Sequence, residues 1–206
     1  MEAADSGRDQ ALTVGVMGSA DPHVPEPARA VLAALGRAIA ERGCVLITGA
    51  CPGLPQVAVE AAKAAGGTVV GISPALSRDE HIRGYGSPTA GFDVIVYNGS
   101  GLMGREVDTI RSSDIVVIAG GRSGTLGEFS IAYDEGHLIG VLTGTGGIAD
   151  HLQGILDIVS VKDTGARVLS GDDPVALIDR LIAEHGRRVR ERRPTPEPMR
   201  GETAPN

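Results

Sequence analysis

Short runs of β-branched and aliphatic residues alternate along this chain with longer stretches of helical periodicity, and most of the short runs are followed within two residues by glycine. The strand-like runs are Leu12 to Met17, Cys44 to Thr48, Thr68 to Ile72, Phe92 to Tyr97, Ile115 to Ala119, Leu138 to Leu142 and Arg167 to Leu169. Between them lie the helical stretches Glu26 to Arg42, Gln56 to Ala65, Leu102 to Ser112, Leu126 to Gly136, Ile148 to Leu156 and Pro174 to Arg188, with a short helix near Arg78 to Ile82. In the first of these, Val31, Leu32, Leu35, Ala38 and Ile39 share one helical face, and Pro25 and Pro27 stand where the helix begins. A strand followed by a helix and another strand crosses over right-handed and lays the strands parallel. The expected fold is therefore a single doubly wound α/β domain, a mostly parallel sheet with helices on both faces. It should span residues 12–188, after a disordered leader 1–11 and before a disordered Arg- and Pro-rich tail 189–206.

In such sheets ligands bind beyond the carboxyl ends of the strands, at the point where strand order reverses. Glycine is concentrated there: the chain has 30 glycines but only 2% aromatic residues. Four loops at strand ends are candidates, 18–24, 49–53, 98–101 and 120–125. The longest uncharged stretch, Gly43 to Val59, is broken by two prolines and three glycines, which excludes a membrane helix of about 20 apolar residues. The opening Met-Glu-Ala-Ala-Asp has no apolar core, so a cytoplasmic protein is expected. Cys44, in a strand, and Cys51, in the loop after it, are read as free thiols. The five histidines have no ligand spacing, so no metal is expected. The net charge of -7 is uneven, because residues 187–206 carry six arginines and three glutamates, leaving -10 on the rest. A body this acidic argues against nucleic acid, and any anion needs a local site.

The strongest local site follows the fifth strand, where Asp114-Ile-Val-Val-Ile-Ala119 runs into Gly120-Gly121-Arg-Ser123-Gly124-Thr125 and a helix carrying Glu128. Glycines expose consecutive amides, and a helix start adds unpaired N–H groups and a positive dipole end, a combination suited to phosphate. The competing reading is a capping box, with Thr125 as N-cap and Glu128 as its partner three residues on. Both readings stay open for Glu128. Arg105, at the start of the helix after the fourth strand, either reaches an anion in the same cleft or pairs with Asp108 on the helix surface. Arg111 is read as capping that helix or pairing with Asp114.

Lysine chemistry is absent from these positions. Only Lys63 and Lys162 occur; neither follows a glycine, which excludes a P-loop, and neither lies at a strand end, where a pyridoxal Schiff base would need it. The first turn, Met17-Gly18-Ser19-Ala20-Asp21, lacks the spaced glycines of a dinucleotide fingerprint.

Gly-Gly-x-x-Gly-Thr-x-x-Glu after a strand, preceded by Gly104-Arg105 and by Arg111-Ser-Ser-Asp114, resembles the Lonely Guy (LOG) superfamily, also called the possible lysine decarboxylase family. The likeness runs from about Leu12 to Ile182 and includes Thr48-Gly-Ala-Cys-Pro-Gly-Leu-Pro55, which is similar to that family's second glycine loop. It implies a Rossmann-like fold, a homodimer or higher homo-oligomer, and no resident cofactor. In the cytokinin-activating hydrolases of the family, an arginine and a glutamate at the positions of Arg105 and Glu128 serve hydrolysis of nucleoside 5'-monophosphates. Those enzymes carry Met-His-Glu-Arg-Lys and Pro-Gly-Gly-x-Gly-Thr where this chain has Leu102-Met-Gly-Arg-Glu106 and Ala119-Gly-Gly-Arg-Ser-Gly-Thr125. The second spacing is closer to the molybdenum-cofactor-carrier-like, DprA/Smf-related branch.

Two functions follow as expectations. One is a phosphoribohydrolase in which Arg105 and Glu128 are catalytic. The other is a carrier or sensor that holds a phosphorylated pterin or nucleotide without turning it over; a partner-binding scaffold is a third, weaker reading. The expected ligand contacts are Gly18 and Ser19, then Thr48, Gly49 and Gly53, Met103 beside the arginine, and Gly120, Gly121, Ser123, Gly124 and Thr125.

Overall fold

The computed structural model describes residues 10–160 and 162–192. In chain order the elements are β1 (Thr13–Gly18), α1 (Glu26–Glu41), β2 (Val45–Thr48), α2 (Leu54–Ala64), β3 (Thr68–Ser73), α3 (Arg78–Arg83), β4 (Val94–Tyr97) and α4 (Gly101–Arg111). There follow β5 (Ile115–Ala119), α5 (Ser123–Asp134), β6 (Leu138–Leu142), a 3-10 turn (Gly147–His151), α6 (Leu152–Val159), β7 (Arg167–Gly171) and α7 (Pro174–Arg192). The seven strands form one sheet in the order β4-β3-β2-β1-β5-β6-β7, and every pairing is parallel. The chain winds outward from β1 to β4, returns to the centre to lay β5 beside β1, and winds outward again to β7. The carboxyl ends of β1 and β5 are therefore the point where strand order reverses, and a crevice opens between their loops.

Both faces of the sheet are covered, which is why β5 is apolar at every position. Ile115, Val117 and Ala119 point to one core with Leu32 and Ile39 of α1, Val57 of α2 and Leu181 of α7. Val116 and Ile118 point to the other, with Ile110 of α4, Phe129 of α5 and Leu152 of α6. The period-2 alternation of a strand divides its side chains between two layers of helix, and neither layer leaves room for a polar side chain on β5.

Three expectations are corrected. Helix α5 starts at Ser123, not Leu126, because Gly120 and Gly121 complete the turn out of β5 in left-handed conformations, φ 58° and 87°. The stretch Ile148 to Leu156 divides into a 3-10 turn and α6. Helix α7 continues to Arg192, past Arg188, since Arg187 bridges Glu184 and Glu191 along its surface. Most of the leader and residues 193–206 of the tail lie outside the described residues.

Candidate functional site

Loops after β1, β2 and β5, together with the first turns of α4 and α5, enclose a cavity of about 540 Å³ at the reversal point. Its floor is a buried ion pair. Arg105 lies four residues before Thr109 on the inward face of α4, and the Thr109 hydroxyl donates to the Arg105 carbonyl at 2.7 Å. From this inward face the guanidinium reaches the cavity floor, where Nη1 donates to Glu128 Oε1 at 3.3 Å with both side chains under 10% exposed. It lies against Gly49: a Cβ at that position would stand 2.0 Å from Nη1, so a side chain there would displace the guanidinium. Arg105 Nε is buried and has no hydrogen-bond partner. A guanidinium has five N–H donors, and this one keeps donors in reserve where water is scarce.

Glu128 faces Arg105 from α5. Burial raises its carboxyl to about 7; Arg105 pulls in the opposite direction, and Glu106 adds to the rise. The capping-box expectation fails here: α5 has no side-chain cap, Thr125 lies inside its first turn, and Glu128 turns inward to Arg105. The surface pairings expected for α4 are also replaced. Asp108 accepts from Asn98, Arg111 binds Glu135, and Asp114 accepts from the backbone and hydroxyl of Thr13.

Gly120 and Gly121 are tied into the fold by three hydrogen bonds. The Gly120 N–H donates to Thr145 Oγ1 at 2.8 Å, and the carbonyls of Gly120 and Gly121 accept from Ala149 and Ile148. The free donors lie one step further on. The first intrahelical bond of α5 runs from Leu126 N–H to the Arg122 carbonyl, so the amides of Ser123, Gly124 and Thr125 precede it. Arg122 stands at the rim, its Nη2 2.7 Å from Asp21 Oδ2.

Of the residues expected to bind ligand, Gly18, Ser19, Gly49, Gly124 and Thr125 line the cavity together with Arg105 and Glu128. Gly120 and Gly121 border a smaller neighbouring hollow of about 280 Å³ that shares Ser19, Asp21 and Arg122. Thr48 and Gly53 act one layer back. Thr48 Oγ1 accepts from Ala50 N–H at 3.1 Å, holding Ala50 at φ 49°, and Gly53 packs against the Ser19 carbonyl. Met103 is 81% exposed and Ser123 is exposed, and neither side chain borders the cavity.

Sequence reasoning missed Glu106 and Cys51. Glu106 lines the cavity beside Arg105, with its carboxylate against α5. Burial pushes its carboxyl above the usual carboxylate range, and Arg105 opposes the rise. Cys51 is a wall residue whose thiol burial pushes up to about 11, so it is a neutral contact and not a thiolate. Among the described residues no three His, Cys, Asp or Glu side chains cluster as a metal site, and no helix is long and apolar enough to cross a membrane.

A parallel sheet whose central crevice combines a buried arginine–glutamate pair with an uncapped helix start defines a Rossmann-like α/β protein with a polar cleft where strand order reverses. Sequence comparison narrows this class: the chain belongs to the SLOG cluster4 family of the LOG-like superfamily, matched over residues 11–177. An uncharacterized protein of Archaeoglobus fulgidus is 30% identical over 131 residues, covering 64% of this chain and 80% of that protein. Among solved structures, TM1055 superposes with a TM-score of 0.73 at 27% identity, over 84% of this chain and 99% of that one. The molybdenum cofactor (Moco) carrier protein of Chlamydomonas reinhardtii superposes with a TM-score of 0.68 at 24% identity, over 85% and 99% of the two chains. The fold is also shared, at 18% identity and a TM-score of 0.52 over 89% and 82% of the two chains, by DNA processing protein A of Helicobacter pylori, a single-stranded DNA binder. The argument from charge against nucleic acid thus gains no support from the fold.

Proposed function

We propose that the cleft binds a phosphorylated small molecule and hydrolyses the N-glycosidic bond of nucleoside 5'-monophosphates to free base and ribose 5-phosphate. One observation carries this reading. Glu128 is a buried carboxyl raised to about 7, held by an arginine and opening on a cavity of about 540 Å³, a size suited to a nucleotide. The phosphate takes the amides at the start of α5 and the rim guanidinium of Arg122, which sets C1' of the ribose toward Glu128. As the bond to the base breaks, C1' gains oxocarbenium character that the carboxylate stabilises. Glu128 accepts a proton from water as the water oxygen bonds to C1', and returns that proton to the departing base nitrogen. Arg105 orients the carboxylate and favours its ionised form.

A second reading is supported by the Moco carrier protein among the structural neighbours: the same cleft holding a phosphorylated pterin without turnover. Either reading fits a cytoplasmic homo-oligomer. Incubation with a panel of nucleoside monophosphates, with released base assayed, separates the two. Base release that falls by at least about a hundredfold in Glu128→Gln supports hydrolysis. An undiminished rate in that variant removes Glu128 from the mechanism, and saturable pterin phosphate binding with no release from any nucleotide establishes the carrier.

A further inference from the structure

The cavity holds a second carboxylate, which packs against two glycines on another helix. Cβ atoms added at Gly124 and Gly127 would stand 3.4 Å from Glu106 Oε1 and 3.5 Å from Oε2. These two glycines, three residues apart on α5, leave a shallow seat in which the Glu106 carboxylate rests across the first turns of the helix. Glu106 takes part in none of the side-chain hydrogen bonds or ion pairs among the described residues, although its neighbour Arg105 binds Glu128 3.3 Å away. It is a partly buried carboxylate with unfilled acceptor positions, facing a cavity beside a second carboxylate.

A dianionic phosphate cannot share that seat. It is driven outward along the start of α5, toward the amide of Ser123 and the guanidinium of Arg122, while the inner seat is left for a group that donates hydrogen bonds. We propose that Glu106 is the specificity residue of this cleft, accepting hydrogen bonds from adjacent hydroxyls of the ligand's sugar and excluding phosphate from the inner end of α5. The proposal rests on the nucleotide reading above and adds to it which part of the ligand lies where. A carboxylate accepting from a ribose diol is a charge-assisted contact, and the 2'-deoxy analogue leaves one acceptor position empty.

Glu106→Gln tests both halves, since it keeps the shape and removes the charge. The wild-type protein should bind AMP at least about tenfold more tightly than 2'-deoxy-AMP, and the variant should narrow that ratio to about threefold or less. Inorganic phosphate alone, titrated into both proteins and read by calorimetry, should bind the variant several-fold more tightly because a like charge has gone. A variant that keeps the full ribose preference, or that binds phosphate no more tightly, overturns the proposal. If AMP binds neither protein, the nucleotide reading and the diol contact both fall, while the phosphate titration still decides whether Glu106 excludes anions. An unchanged melting temperature in the variant assigns these differences to the ligand and not to the fold.

Discussion

At the scale of single residues, the pair at the centre of the proposed hydrolysis, Arg105 and Glu128, is kept dry by the fold. Glu128 is the clearest case, and its acidity has a definite sign. Burial raises the carboxyl from 4.5 to about 7, so the folded chain holds a proton there that the unfolded chain releases. Between those values stability declines as pH rises, and Glu128→Gln should flatten that part of the curve when melting temperatures are compared from pH 5 to pH 8. The proposed hydrolysis runs the other way. If the ionised form is the base, kcat/KM for AMP rises with pH through about 7 and levels off above it. A profile flat through this range would remove the base role. Glu106 shows why not every residue of the cleft was legible. In sequence it is one charge among Arg105, Asp108 and Arg111 on a helix, with the look of a solvated face. Its neighbours include Gly124 and Gly127, which belong to a helix some twenty residues further along and which no local pattern connects to it.

At the scale of elements, the segment from β5 to α5 was the most readable, because an all-apolar run ending in two glycines has few other meanings. The misreading lay in one register: Thr125 and Glu128 match a capping box only if the helix begins after Thr125, and the glycine pair starts it at Ser123 instead. The loop after β6 was not legible as part of the site. Thr145 there accepts from Gly120 N–H and donates to the Leu142 carbonyl at 2.6 Å, tying the turn below α5 to its neighbour strand. Thr145→Val keeps the volume and strands both buried groups, a loss of about 1–3 kcal/mol. For a chain of this size the melting temperature should fall by roughly 2–10 °C, and phosphate affinity should fall with it as the start of α5 loosens. A melting curve identical to wild type would show that the glycine turn stands without this support. Asp150 supports the same loop, accepting from the amides of Gly144 and Gly146.

At the scale of the whole molecule, strand alternation predicted the layers, but strand order was beyond it. Which neighbour β5 takes depends on where the crossover from β4 lands, and that is decided by packing across the full sheet. The acidic body adds a global effect, since repulsion weakens at higher salt and leaves phosphate capture to the cleft itself. AMP at one hundred times its Kd should stabilise the fold by about 2.7 kcal/mol, a rise of roughly 5–10 °C in melting temperature. Adenosine giving an equal rise would show that the phosphate contributes nothing. The pairing of β1 with β5 has a consequence in time. The rim contact of the cleft, Asp21 to Arg122, joins residues 101 positions apart, and Thr13 to Asp114 spans the same interval at the opposite end of the two strands. During synthesis at about 5–20 residues per second, β1 therefore waits roughly 5–20 seconds with one edge unpaired, and the binding cleft comes into being only when the second half of the chain leaves the ribosome.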